Sequence, residues 1–218
     1  ADTLFRLLRD IDLEHLEQAH VDLVKRLIRG KSFRRYLINR CYPIAIDGSQ
    51  KLAGDTLWAE ELLQRTVGKE ETRHTQYFVY VLEASLAFHN GLVIPLLSEF
   101  LEHALGDSEA QKQDGELRGF VRLSDRLKTL FPGLPILLLL DGLYANGPVM
   151  QRCRGYHWQF MIVLKDKDLS TVWQEFHALP ALKPHTSQRC WGRRQQPFSW
   201  VNDIDYAFGS NGRQHLQL

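Results

Sequence analysis

Residues 136–142 read Ile-Leu-Leu-Leu-Leu-Asp-Gly, an aliphatic run that ends in an acid and a glycine. A short, uninterrupted aliphatic run is typical of a parallel strand that is buried on both faces. The segment before it, residues 116–131, carries apolar side chains at helical spacing and is closed by Pro132 and Gly133. The pattern predicts an amphipathic helix followed by a central parallel strand, as in α/β proteins.

A second strand is predicted where residues 42–47 read Tyr-Pro-Ile-Ala-Ile-Asp. The alternation places Ala45 and Asp47 on one face and the two isoleucines on the other, and Gly48 is expected to end the strand. Two predicted strands therefore finish at an aspartate that is followed by glycine.

Further strands and helices are predicted around these two. Residues 75–88 and 92–100 are rich in β-forming side chains and flank His-Asn-Gly, a strong hairpin signal. The stretch 52–73 is expected to form a loop or a partly helical excursion. Beyond the aliphatic strand, a helix, a strand and a second helix are predicted at 148–155, 159–164 and 169–176. Three antiparallel strands, followed by two more joined through helical crossovers, make a mixed five-stranded sheet with flanking helices.

Three segments are expected along the chain. Residues 1–40 carry apolar side chains at helical spacing as far as Gly30 and form a short helical segment. Residues 41–182 form the α/β core. Residues 183–218 are rich in Arg, Gln, Trp and Gly, and they are expected to be the start of a β-rich insertion.

Composition narrows the class of protein. Hydrophobic residues make up 44% and charged residues 24% of the 218, as in ordinary globular proteins. The three cysteines form no Cys-x-x-Cys pair, which argues against a zinc site or a disulfide framework. The longest apolar run is far shorter than the roughly 20 residues that cross a bilayer. We expect a cytoplasmic protein with no membrane partner, and its net charge of +1 neither demands nor excludes nucleic acid.

The pair Asp47 and Asp141 is the most informative feature for function. In open α/β sheets, ligands favour the carboxyl ends of strands. Two carboxylates brought together there repel each other unless a cation such as Mg²⁺ lies between them. The alternative is turn chemistry, because Asp accepts hydrogen bonds from nearby backbone and Gly tolerates positive φ. The pattern alone leaves both interpretations open.

The motifs Ile-Ala-Ile-Asp47-Gly-Ser-Gln and Leu-Leu-Leu-Leu-Asp141-Gly-Leu-Tyr-Ala-Asn resemble the two aspartate motifs of bacterial insertion-sequence DDE transposases. The resemblance covers most of residues 42–179. It implies an RNase H-like core in which both aspartates are catalytic metal ligands for Mg²⁺ or Mn²⁺. The implied function is DNA transposition, with strand cleavage and transfer at transposon ends. The implied partners are transposon-end and target DNA in a bacterial, nucleoid-associated setting, and a homodimer is left open.

In that family a glutamate on a later helix completes the metal site, but a Tyr-x-x-Arg-x-x-x-Glu pattern is not found in this sequence. We therefore expect the chain to stop before the third acid or to have lost it. Other acids could substitute, each with an ordinary alternative as a surface or turn residue: Glu99, Glu116, Glu175, Asp203 and Asp205.

Basic residues supply candidate DNA contacts. Lys165 and Lys167 follow the predicted strand 159–164. A second group near the end of the chain combines cations with an aromatic side chain, namely Arg189, Trp191, Arg193 and Arg194. Phosphate contacts and base stacking are how non-specific grip on DNA is built. A third run precedes the first strand: Lys25, Arg26, Arg29, Lys31, Arg34 and Arg35. For each group the alternative is ordinary solvated surface charge.

Two further functions stay open. A catalytically inactive DNA-binding or subunit-interaction remnant would keep the fold without the reaction, which the missing glutamate favours. Another RNase H-like nuclease would complete the site with a different acid, and cleavage without strand joining would distinguish it.

Overall fold

The computed structural model describes residues 6, 11–59, 62–102, 111–165, 168–178, 185–209 and 212–217, without the side chains of residues 111–114, 191 and 214. Contacts divide the chain into two units, Ala1–Leu139 and Leu140–Leu218. The fold is α/β, with a sheet that mixes parallel and antiparallel strands, as expected.

The described part of the first unit includes the helices α1 (Leu13–Arg29) and α2 (Gln111–Leu130), and the strands β1 (Tyr42–Gly54), β2 (Leu63–Val67), β3 (His74–Ala87), β4 (Val93–Leu101) and β5 (Ile136–Leu140). Strand β3 pairs antiparallel with β1 on one edge and with β2 and β4 on the other. Strand β5 is parallel to β1. The β3–β4 connection is the predicted hairpin, with Gly91 at a positive φ of 85°.

Three predictions for this sheet are wrong. Strand β1 does not end at Gly48 but continues to Gly54, because β3 pairs with it along that length. The stretch 52–73 contains strand β2, which pairs with the first residues of β3. In the part of the chain that the structure describes, the sheet therefore has six strands rather than five, in the order β2-β3-β1-β5-β6 with β4 also on β3; β6 is Gln159–Ile162.

Helix α2 covers one face of the sheet, where the core lies. Ile44 and Ile46 of β1 and Leu82 of β3 are at most 2% exposed. At Gly119 of α2 an added Cβ would collide with Leu101, so the helix approaches the strands closely. The helix begins five residues before the predicted position 116, and Leu127 on its inner side is fully buried.

Helix α1 begins with the Asp12 carboxylate as its N-cap and ends at Gly30, as predicted. Val21 and Val24 form its buried side. An arginine from α2 ties it to the sheet: Arg126 donates to both carboxylate oxygens of Glu17 at 2.7 Å and to Glu99 of β4 at 3.0 Å. One guanidinium thus joins three elements of the unit.

Replacing Arg126 with methionine is expected to lower the free energy of unfolding by about 2 kcal/mol, because Glu99 is only 13% exposed and loses a charged partner. The matched control is Arg122→Met, which removes the other arginine on Glu99 but leaves α1 attached. Urea unfolding should show a loss for Arg122→Met about half as large or less. Equal losses would contradict the three-element role of Arg126.

Among its described residues, the second unit has two α-helices and five strands: α3 (Gly147–Gly155), β6, α4 (Ser170–Ala178), β7 (His185–Trp191), β8 (Arg194–Trp200), β9 (Ile204–Phe208) and β10 (Gly212–Leu216). The predicted helices at 148–155 and 169–176 and the strand at 159–164 are confirmed within a few residues. Its core joins Met150, Val172, Ile204 and Leu216. Strands β7 and β8 form one two-stranded sheet, and β9 and β10 another. Among the described helices, none is long and apolar enough to cross a membrane.

Candidate metal and nucleic-acid site

Asp47 lies within β1 on the sheet face opposite α2. It is exposed, whereas its neighbour Ile46 is buried, as the alternation predicted. One carboxylate oxygen accepts the backbone N–H of Gly48 at 2.9 Å. Since β1 runs on for seven residues beyond it, Asp47 is not a turn residue.

Gly48 follows Asp47 for a packing reason. A Cβ built at Gly48 would lie 2.6 Å from ring atoms and the hydroxyl of Tyr80. The Tyr80 hydroxyl donates to Glu116 of α2 at 2.7 Å, so the ring is held in place over the glycine. The Asp-Gly pair here therefore reflects a crowded strand rather than a change of chain direction.

The face of Asp47 also carries a group of hydrogen-bonded polar residues, namely Glu83, Ser49 and Lys51. Glu83 of β3 is its direct register partner, and facing residues in antiparallel strands have Cβ atoms about 5 Å apart. One Glu83 oxygen accepts Ser49 Oγ at 3.3 Å and Lys51 Nζ at 2.5 Å. The sequence interpretation assigned no role to Glu83 or Lys51, although a lone acid within the apolar run 75–88 is a signal for Glu83.

Lys51 is placed by an irregularity in the ladder. The register passes from Gln50 opposite Tyr80 to Leu52 opposite Val79, which leaves Lys51 as the extra residue of a β-bulge. A bulge bends the strand and redirects a side chain, and bulges are frequent beside active sites. The Lys51 ammonium lies on the carboxylate of Glu83.

Asp141 directly follows β5 in the second unit and is 53% exposed. Its side chain accepts the backbone N–H of Leu143 at 3.0 Å and so caps a short 3-10 turn. The turn role therefore exists at Asp141, unlike at Asp47. Lys165 Nζ lies 3.8 Å from the other carboxylate oxygen, so the predicted basic residue does reach this acid.

A second acid borders the Asp141 turn and was not foreseen. The carboxylate of Asp168 accepts the backbone N–H of Lys165 at 2.7 Å. The same carboxylate occupies the place where a Cβ at Gly142 would lie. Gly142 is thus required by close packing, and the loop that carries Lys165 is anchored against the Asp141 turn.

The strand register relates the two predicted aspartates along the sequence. Within the first unit, Tyr42 pairs with Ile136 and Ala45 with Leu139, an offset of 94 residues. The same 94 residues separate Asp47 from Asp141. Asp47 comes two residues after Ala45, and Asp141 comes two residues after Leu139, the partner of Ala45 in the ladder.

The predicted cationic group near the end of the chain lies on the β7–β8 hairpin. Gly192, at φ 60°, and Arg193 form its two-residue turn. Because alternate residues share a face, Arg189 and Arg194 lie on the same face as Phe198 and Trp200. These two aromatic side chains are 44% and 37% exposed. The hairpin thus combines two arginines with exposed rings, beyond what the sequence interpretation assigned.

Some predicted contact residues are only partly described. Trp191 is a strand residue opposite Arg194, but its side chain lies outside the described part, and Lys167 is not among the described residues at all. In the basic run before β1, Lys25 lies over the ring of Phe131 and Arg35 over that of Tyr36.

The substitute acids are mostly engaged elsewhere. Glu99 binds Arg122 and Arg126, Glu116 accepts Tyr80, and Asp205 pairs with His215 at 3.0 Å. Glu175 is exposed on α4, and Asp203 has a positive φ of 61°. Within the described residues, no three His, Cys, Asp or Glu side chains are grouped to hold a metal ion.

The buried cysteines do not provide thiolate chemistry. Burial raises the pKa of the Cys41 thiol and raises the pKa of Cys153 to about 12. Both thiols therefore stay protonated at neutral pH.

No protein-family model matches the chain, and no curated protein matches it in sequence.

Proposed function

We propose that this chain is the RNase H-like core of a DNA-transposing enzyme of the DDE type, with Asp47 and Asp141 as ligands of Mg²⁺ or Mn²⁺. The strand register carries the proposal. Within the first unit, β1 and β5 run parallel with an offset of 94 residues, and the same offset separates Asp47 from Asp141. Equal spacing is not expected of two unrelated turn residues.

The strand order supports the RNase H-like part of the proposal. Strands β4, β3 and β1 are antiparallel neighbours, β5 is parallel to β1, and β6 follows it. Such a sheet has three antiparallel strands first and then strands joined through helices. The extra strand β2 lies at the edge and leaves this order unchanged.

The donor set fits a hard divalent cation. Mg²⁺ is commonly bound through one or two carboxylates, with waters and substrate phosphates completing the shell. Asp47 and Asp141 are exposed carboxylates of this kind. When bound, such ions can activate a water or a 3′-hydroxyl and stabilise the leaving oxygen of a phosphodiester. Lys165, anchored by Asp168, would contact a backbone phosphate beside Asp141.

A second candidate is a DNA-binding remnant that lacks the reaction. The feature in its favour is the missing Tyr-x-x-Arg-x-x-x-Glu pattern of the third acid. The two candidates share DNA binding and differ in metal-dependent strand cleavage and joining. The third acid remains a prediction of the resemblance.

DNA binding by the β7–β8 hairpin tests what both candidates share. The double substitution Arg189→Gln and Arg194→Gln should reduce the slope of log affinity against log salt by about 1.8, since each phosphate contact contributes about 0.9. The measurement is fluorescence anisotropy with a 30-base-pair duplex from 50 to 200 mM KCl.

The matched control is Arg73→Gln with Arg118→Gln, two exposed arginines of the first unit with the same loss of charge. Its slope should change much less. Equal changes in both double variants would show that net charge alone is responsible. A wild-type chain that binds no duplex at 50 mM KCl would contradict the proposed function.

A further inference from the structure

We infer that Lys51 is a further substrate-contacting residue of this site, binding a DNA phosphate beside Asp47, and that Glu83 is the positioning residue that holds it there. The inference rests on the proposed function and extends it to residues that carry no family motif. It starts from the bulge and the ion pair within the first unit.

The position of Lys51 is specified by the backbone. Strand alternation places residues 47, 49 and 51 on one face of β1, and the β-bulge interrupts the ladder at Lys51. Its ammonium lies 2.5 Å from Glu83, the register partner of Asp47. The Lys51 ammonium therefore lies on the sheet face that carries Asp47.

Stability does not account for this arrangement. The side chains of Lys51 and Glu83 are 43% and 36% exposed, and ion pairs at such exposure contribute little to folding. Placing Glu83 directly opposite Asp47 sets two negative charges against each other, which is unfavourable by itself. Lys51 compensates Glu83, so Asp47 remains the carboxylate on this face without a cationic partner among the described ion pairs.

A phosphate near a cation at Asp47 would meet the Lys51 ammonium on the same face. Ser49 also donates to Glu83, so the carboxylate is held by two groups of β1. Glu83 then restricts the lysine to one direction, and less conformational entropy is lost when a phosphate binds.

The test compares Lys51→Met, Lys51→Arg and Glu83→Gln with the control Lys128→Met, all in the full chain. Lys128 lies on α2, on the opposite face of the sheet, and bonds to a backbone carbonyl. For the same 30-base-pair duplex, Lys51→Met should lower the salt slope by about 0.9. Lys51→Arg should restore it, and Lys128→Met should leave it unchanged. Calorimetric titration with Mn²⁺ should give no loss of affinity in Lys51→Met.

Glu83→Gln is the more decisive variant, because a pure charge effect and the loss of a positioning residue change the DNA affinity in opposite directions. Removal of a negative charge should by itself strengthen DNA binding, whereas loss of the positioning residue should weaken it about twofold or more. The inference is overturned if Glu83→Gln binds DNA more strongly than the wild type, or if Lys51→Met and Lys128→Met have the same salt slope. In either case the proposed function still stands as long as the wild-type chain binds Mn²⁺ and the duplex. A wild-type chain that binds neither probe overturns both.

Discussion

Asp47→Asn and Asp141→Asn are each expected to lower the affinity of the chain for Mn²⁺ by at least about 100-fold. Loss of residues that merely support a metal ligand commonly costs 10–100-fold, so loss of a direct carboxylate ligand should cost at least the upper value. The amide retains an oxygen but no charge. Isothermal titration calorimetry on the purified chain measures the effect.

Asparagine separates metal binding from folding at both positions. It can still accept the Gly48 N–H at position 47, and at position 141 it can still cap the turn that begins after β5. Thermal unfolding of both variants should therefore stay close to that of the wild type. The double variant should be little worse than either single one if the two carboxylates hold the same ion.

The control is Asp55→Asn, which changes an exposed acid that pairs with His74 away from the sheet face of Asp47. It should bind Mn²⁺ like the wild type. Binding that is indifferent to both Asp47→Asn and Asp141→Asn would contradict a shared site. The aspartates would then be explained by the strand and the turn alone.

Gly48→Ala is expected to destabilise the chain by about 2 kcal/mol, the reverse of the usual result in a strand. Alanine is normally the better residue inside a strand by roughly 0.5–1 kcal/mol. Here its Cβ would lie 2.6 Å from Tyr80, whose hydroxyl is bound to Glu116. Overpacking of this kind typically costs 1–3 kcal/mol. Chemical unfolding measures the difference.

Two further variants identify the cause. Gly133→Ala is the matched control, because a Cβ there meets nothing within 4 Å, and it should change stability by less than about 0.5 kcal/mol. Combining Gly48→Ala with Tyr80→Leu removes the ring, so the double-mutant cycle should give a favourable coupling of about 1–2 kcal/mol. If Gly48→Ala stabilised the chain instead, the proposed clash with Tyr80 would be contradicted, and Gly48 would be an ordinary strand glycine.

Local patterns were sufficient for several elements. The aliphatic run at 136–140 formed β5, and His-Asn-Gly formed the hairpin between β3 and β4, since both signals depend on neighbouring residues only. Alternation in 42–47 correctly separated buried Ile46 from exposed Asp47. These predictions rest on side-chain period and turn chemistry, which the chain carries within a few residues.

Other features depended on partners distant in sequence. Strand β1 continues past Gly48 because β3 supplies hydrogen bonds along it, and β2 exists because the first residues of β3 offer an edge. The extent of a strand is therefore decided by its neighbour as much as by its own residues. No local sequence pattern predicted the β-bulge at Lys51.

The sequence by itself determined the α/β class, the central aliphatic strand that precedes Asp141 and the exposure of Asp47 beside buried Ile46, because hydrophobic runs and strand period are local properties. Only the tertiary structure decided that Glu83 faces Asp47 and that Tyr80 requires Gly48. It also decided that Asp168 anchors the loop of Lys165. The first two contacts join residues more than thirty positions apart in the chain, and their pairing is set by strand register and close packing, which composition and spacing do not encode.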